Sequence, residues 1–299
     1  MQVIELQNER LRFRCVPQIG GSVTDFSARL DDDWVAIMRP TVEPLERASN
    51  AASFTLAPYS NRLRDGRFVF EGRTYQLQHA AKHAIAGDVR DRPWQTLQVS
   101  DTRALLGFDS THFDDVNFPF PFTVQVAYGL DGSTLHTALT LTNTGTMRMP
   151  AGGGFHPYFN RALAGRAEHV EIELGVAGVY PAGNPPLPTG PIVPLSPEQD
   201  FHRLRRLDVV LDHCFGGWDG RALLRWPASG VRLRMEANDR MRHVIIYSPP
   251  GPVFALEPVV NANDGFNLMA QGQRDTGVVV LEPGDSFVAA FTLSVERDR

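Results

Sequence analysis

Cysteine is nearly absent from this 299-residue chain: Cys15 and Cys214 are the two it has, far apart in sequence. They form neither a CxxC pair nor a disulfide framework. Both read as small core hydrophobes in a reducing cytosol, which makes the cytoplasm the expected location. Long apolar runs are missing as well. No stretch approaches the roughly 18 residues of a membrane span, so no membrane partner is expected. The opening Met1-Gln2-Val3-Ile4-Glu5 lacks a basic segment followed by an apolar one, so a secretory leader is not expected either. A basic stripe is also lacking. The formal net charge is −5 and the arginines are scattered among Asp and Glu. Nucleic acid and strongly anionic polymers are therefore disfavoured as partners.

Several chemical signatures are missing too. The nine histidines include no HExxH or His-x-His spacing, and Asp31-Asp32-Asp33 reads as a solvated turn, so no metal is expected. No G-x-S-x-G is present to support a serine hydrolase. No segment holds a 3.6-residue period over three turns, and 22 Pro with 26 Gly disfavour long helices. Without a parallel βαβ rhythm, a doubly wound dinucleotide fold is not expected.

What is present has a period of two. Arg67-Phe68-Val69-Phe70 and Thr74-Tyr75-Gln76-Leu77 flank Glu71-Gly72-Arg73 as a tight hairpin. Thr123 to Leu130 and Leu135 to Asn143 repeat this around Asp131-Gly132. Val231, Leu233 and Met235 alternate with Arg232, Arg234 and Glu236, and His243 to Tyr247 is a compact apolar strand. Val278 to Leu281 and Phe287 to Val295 are expected to pair across Glu282-Pro283-Gly284-Asp285. Alternation punctuated this often predicts an all-β sandwich or barrel, and 42% hydrophobic residues suffice for a sizeable core. Pro181 to Pro197 is read as an extended surface loop or a linker. The strand character is the same on both sides, so the loop is preferred and residues 1–299 are expected to form one domain.

Three segments carry polar residues that a plain sandwich does not need. In Ala57 to Phe68, Arg62 stands just before a hairpin. It is either a rigid fork of donors for an oxygen ligand or a surface Arg paired with Asp65. In Gly152-Gly153-Gly154-Phe155-His156-Pro157, three glycines allow backbone to approach something closely. His156 is then either a proton donor near neutral pH or a structural residue in a tight turn. The stretch lacks the Lys-Ser/Thr ending of a phosphate loop, so nucleotide binding is rejected. In Phe254 to Asn267, Glu257 ends an apolar strand. It is either a buried carboxylate with a raised pKa, suited to general-base work, or an edge Glu facing water. Smaller signals are Asp212-His213-Cys214-Phe215 and His83 in His83-Ala84-Ile85-Ala86-Gly87.

Taken in order, these segments resemble the aldose 1-epimerase (galactose mutarotase) family. The chain has Asn61-Arg62 with Gly66 and Phe68, and His83 with Gly87 followed by Arg92-Pro93-Trp94. It then has His156-Pro157-Tyr158-Phe159, Asp212-His213-Cys214-Phe215 and Leu256-Glu257-Pro258. No one motif is specific; five in the family's order are. The resemblance covers nearly the whole chain and implies a large antiparallel β-sandwich with a sugar cleft on one broad face. It implies interconversion of the α and β anomers of a free aldose such as galactose or glucose, without a cofactor. Glu257 would take the proton from the C1 hydroxyl. His156, kept protonated, would give one to the ring oxygen. Arg62 and Asp212 would bind sugar hydroxyls, with Asn61 and His83 beside them. The partner is a small sugar, and the chain a monomer or homodimer.

One position departs from the pattern. The family usually has a His immediately before the Gly of this turn, where the chain has Ala86. Losing such a donor often costs ~10²–10³-fold. Two alternatives follow: a non-catalytic sugar-binding protein of the same fold, or an enzyme for a hexose phosphate or other modified sugar. Arg64 and Arg67 beside Arg62 motivate the second.

Overall fold

The computed structural model describes residues 1–78 and 83–298. Two large antiparallel sheets face each other. The first has nine strands in the order Gln95–Val99, Arg103–Asp109, Phe122–Asp131, Thr134–Asn143, Ser286–Arg297, Val231–Ala237, Arg221–Trp226, Glu171–Leu174 and Arg205–Arg206. The second runs Gly178–Val179, Leu211–Gly216, His243–Ser248, Val253–Val259, Gly154–Phe155 and Thr55–Leu56, with Tyr158–Asn160 also pairing to Val253–Val259. A four-stranded meander, Ile4–Gln7, Leu11–Val16, Ser22–Leu30 and Asp33–Ala36, adds a further layer. Among the described residues one α-helix appears, the short Gly265–Ala270. The all-β sandwich expected from the sequence is the observed architecture.

The period-two segments explain the nine-stranded sheet. Phe122, Val124, Val126, Tyr128 and Leu130 alternate as buried residues along one strand. They pair in unbroken register with Asn143 through Leu135 around the Gly132 turn, where φ is +53°. Their buried face meets the second sheet directly: Phe155 and Phe291, one from each sheet, have ring centroids 5.3 Å apart. The indole of Trp226 donates to the Asn160 carbonyl at 3.0 Å across the same gap.

The seven-stranded sheet is buried on both faces, and its register sorts the side chains. Phe254, Leu256, Val244, Ile246 and Phe155 point to the sandwich core. The alternate residues Ala255, Glu257, Ile245, Tyr247, Asp212, Cys214 and Tyr158 share the other face.

Two expectations need amendment. Val279–Leu281 pairs with Met149–Ala151, while Ser286–Arg297 pairs with Thr134–Asn143 and Val231–Ala237, so the expected C-terminal hairpin does not form. The Glu282–Asp285 turn redirects the chain into a different sheet, and Gly284 N–H donates instead to the Asn143 carbonyl. The proline-rich stretch folds back on itself through bridges Val179–Val193 and Ala182–Pro188. Asn263 Nδ2 and Arg64 Nη2 tie it to the body through the Pro186 and Pro188 carbonyls.

Candidate active site

The outward face of the seven-stranded sheet assembles the candidate residues. Asp212 lies opposite Tyr247, Tyr247 opposite Ala255, and Ala255 opposite Tyr158, which makes one row across four strands. Two residues further along, Cys214, Ile245 and Glu257 form the next row. Neighbours within a row lie ~5 Å apart, so period-two geometry alone brings the mid-chain and C-terminal motifs together. The His156 N–H donates to the Phe54 carbonyl and the Tyr158 N–H to the Ala52 carbonyl, each at 2.9 Å, which fixes the His156 segment beside Glu257.

The glycines before His156 serve that approach. A Cβ on Gly154 would lie 2.5 Å from the Pro258 carbonyl oxygen, and one on Gly153 2.5 Å from that of Leu56, with φ of +153° and +145°. What the backbone approaches so closely is therefore the neighbouring strands.

Glu257 and His156 meet: Nε2 lies 3.1 Å from Oε1, and the Glu257 side chain is 3% exposed. Burial pushes the Glu257 carboxyl well above the usual 4.5. Asp212 adds to this and Arg62 opposes it. Burial likewise pushes the His156 imidazole down to about 3, with the charges of Arg39 and Arg90 acting in the same direction. The expectation of an imidazole kept protonated is thus reversed for the free protein. The low-dielectric pocket disfavours both charges, the carboxylate and the imidazolium alike. Asp212 is also raised by burial, with Arg62 and His213 opposing.

The Asn61–Arg62 motif sits at the rim. The Asn61 side-chain oxygen accepts from Arg62 N–H at 2.9 Å and from Arg62 Nη1 at 3.1 Å, so Asn61 holds the guanidinium in place. Arg62 does not take Asp65 as a partner. The Asp65 amide donates instead to His83 Nδ1 at 2.8 Å, which anchors His83 to the turn after Arg62 and occupies one ring nitrogen. Arg64 has its guanidinium on the Pro188 carbonyl at 3.1 Å and beside Asp264 at 3.5 Å, and Arg67 is exposed on the following strand. Ala86 is buried with φ +64°, and its N–H donates to the Asn61 carbonyl at 2.7 Å.

Sequence reasoning missed several residues. Asn261 is fully buried, and its side-chain oxygen accepts from the amides of Ser60 and Gly153, both at 3.0 Å, while its carbonyl accepts from Ser60 Oγ at 2.6 Å. One amide thus pins together the segments bearing Arg62, His156 and Glu257. A polar residue four positions after the buried Glu was the available signal. Phe54 stacks on the His156 ring with centroids 4.6 Å apart, and Tyr158 packs against it at a tilt of 35° with centroids 4.5 Å apart. Tyr158 stood in a quoted motif, whereas Phe54 carried no signal. Among the described residues no three of His, Cys, Asp and Glu converge as metal ligands.

Comparison with known proteins bears on the family and the fold. The family model described as aldose 1-epimerase matches residues 2–294. The uncharacterised Escherichia coli K12 protein YphB is 30% identical over 267 residues, covering 83% of this chain and 85% of YphB. A crystal structure of a candidate aldose 1-epimerase from Escherichia coli K12 superposes with a TM-score of 0.85 at 27% identity, covering 99% of both chains. A galactose mutarotase-like protein from Clostridium acetobutylicum gives a TM-score of 0.85 at 18% identity, covering 99% of this chain and 95% of that one, a likeness of fold.

Proposed function

The chain belongs to the aldose 1-epimerase family, and from that premise we propose that it interconverts the α and β anomers of a free aldose by acid–base ring opening and closure at Glu257 and His156. The observation that carries this is the 3.1 Å contact between the Glu257 carboxyl and the His156 imidazole on the sheet face opposite the sandwich core. Ring opening removes a proton from the C1 hydroxyl and delivers one to the ring oxygen as the C1–O5 bond breaks. The products are an aldehyde and a hydroxyl. Closure on the other face of the carbonyl returns both protons. No electrons or groups leave the sugar.

The two protonation states this needs hold the same single proton on different partners. In one, Glu257 is a carboxylate and His156 an imidazolium; in the other, Glu257 is a neutral acid and His156 a neutral base. The direct contact in the free protein allows exchange between them, and a sugar entering the cleft would separate the pair. Carboxylate and imidazolium then act on O1 and O5 respectively. Each partner typically contributes ~10²–10⁴-fold. Arg62, held by Asn61, and Asp212 would hydrogen-bond the sugar hydroxyls, with His83, tied to the Asp65 amide, beside them. Galactose and glucose are the first substrates to try. The buried free thiols Cys15 and Cys214 fit a reducing cytoplasm.

A second reading, a sugar binder without turnover, is favoured by Ala86. Saturation-transfer NMR on equilibrated galactose and glucose separates the two. Catalysed exchange between anomers that disappears in Glu257→Gln supports the enzyme. Binding by calorimetry, with no exchange on any aldose tried, supports the binder and sinks the enzyme.

A further inference from the structure

His156 lacks the usual device for orienting a functional imidazole. Its Nδ1 is buried and has no hydrogen-bond partner, so no second-nitrogen bond fixes the ring. Stacking takes that place, and it extends beyond the two aromatic neighbours. The Arg39 guanidinium lies over the Tyr158 ring, 3.5 Å from its centroid, and that of Arg90 lies 5.6 Å from the centroid of the Phe54 ring. The pairwise contacts run Arg90–Phe54, Phe54–His156, His156–Tyr158 and Tyr158–Arg39, a chain of contacts with a cation at each end.

We propose that Arg39 and Arg90 are positioning residues for His156, clamping the plane of its ring through Tyr158 and Phe54 and disfavouring positive charge on it. The role in turnover rests on the epimerase reading above; the effect on the imidazole does not. The steps of 3.5 and 4.5 Å bound the Arg39 guanidinium within about 8 Å of the His156 ring, and those of 5.6 and 4.6 Å bound Arg90 within about 10 Å. An imidazolium would ordinarily gain from contact with two aromatic rings. Here each ring already carries a guanidinium near it, so that gain is offset by repulsion between like charges across a thin apolar layer. The result is a neutral ring at rest and a strong acid once protonated, which suits delivery of a proton to a weakly basic ether-type oxygen.

Both cations are held. Arg39 donates Nε and Nη2 to the Ala51 carbonyl and Nη2 to that of Ser49. The Arg90 backbone is locked against Gly20, where a Cβ would lie 2.0 Å from the Arg90 carbonyl oxygen. Arg92, paired with Asp88 at 2.8 Å and Asp115 at 2.7 Å, fixes the turn behind it. The Arg92-Pro93-Trp94 element thereby serves Arg90. The other titratable groups facing His156 are Glu257 on the adjoining strand, Tyr158 on its own segment and, on the strands beyond, Tyr247, Asp212 and Cys214; Arg62 stands at the rim.

The test reads the imidazole itself. In ¹⁵N-histidine NMR of the intact protein, with His156 assigned by loss in H156N, the wild-type ring stays neutral through pH 5. Unit charges 8–10 Å apart at an effective dielectric of ~20 imply that R39Q raises the His156 midpoint by about one and a half pH units and R90Q by less, because the Asp91 carboxylate lies 3.5 Å from Arg90 Nε and offsets part of its charge. The double variant then reaches a midpoint of about 5, from about 3. R39K and R90K keep the charge and should leave the midpoint low. A double variant that folds and still titrates below about 4 overturns the proposal. If loss of the Ser49 and Ala51 tethers prevents R39Q from folding, an unmoved midpoint in R90Q does the same. A shifted midpoint with no anomer exchange on any aldose would leave the clamp standing and remove the proposed function.

Discussion

Two faces of one strand, Val253–Val259, carry opposite burdens. Phe254 and Leu256 point into the sandwich, where they pack with Ile246, Val244 and Phe155. Ala255 and Glu257 point the other way, and Glu257 is as thoroughly buried as its neighbours, at 2% exposed. One face gains free energy from burial. The other loses it, because an ionisable group has been taken out of water. Burial is thus shared by both faces, and chemistry separates them. The difference is workable because the apolar face is rigid enough to hold the polar one in place.

The sharpest way to break this comparison is to alter each face in turn. Glu257→Gln keeps the shape and removes the titrating oxygen; anomer exchange by saturation-transfer NMR should fall at least ~10²–10⁴-fold while the circular dichroism spectrum is retained. On the opposite face, Leu256→Ala should lower stability by about 2–5 kcal/mol in urea titration, with exchange per folded molecule little changed. If Leu256→Ala abolishes exchange in folded protein, the two faces are not separable.

Asp212→Asn, one row away from Glu257, should cost roughly 10–100-fold in kcat/KM, the value of a charge-assisted hydrogen bond to a sugar hydroxyl. It also removes the like charge that helps to raise Glu257, so the Glu257 limb of the pH–rate profile should move to lower pH.

The smallest effects are in pH-dependent stability. Glu257 holds its proton in the folded state after an unfolded carboxyl has ionised, so its contribution is full below about 4.5 and declines as pH rises towards the raised folded value. His156 behaves oppositely. An unfolded imidazole takes a proton below 6.5 and the folded one only near 3, so stability falls as pH drops through that interval. Melting temperatures against pH should therefore flatten on the alkaline side in Glu257→Gln and on the acid side in H156N. Parallel curves for wild type and variants would contradict the burial argument.

The two sheets also differ in how much of them the sequence reveals. Phe122–Asp131 has one wet face, so its alternation is plain and its pairing with Thr134–Asn143 is legible. Phe254-Ala255-Leu256-Glu257-Pro258-Val259 has none, so period two is hidden there. Glu257 was noticed because a carboxylate breaks an apolar run, and His156 because glycines precede it. Arg62 and its holder Asn61 were legible as neighbours. Arg39 and Arg90 carry no pattern of their own, because what matters is the ring each one covers, and that ring lies elsewhere in the chain, 119 positions away for Arg39 and 36 for Arg90. The Val279–Leu281 partner was missed for a related reason. A turn announces that the chain reverses, without saying which sheet receives it.

The Asn261 amide has a consequence for how the site comes into being. Its two accepted backbone bonds span 201 and 108 positions along the chain. Such contacts close large loops and form late, when most of the chain has already been fixed. Sugar turnover should then vanish together with the global unfolding transition rather than before it, because no partly organised intermediate could hold the acid and the base within reach of one ring.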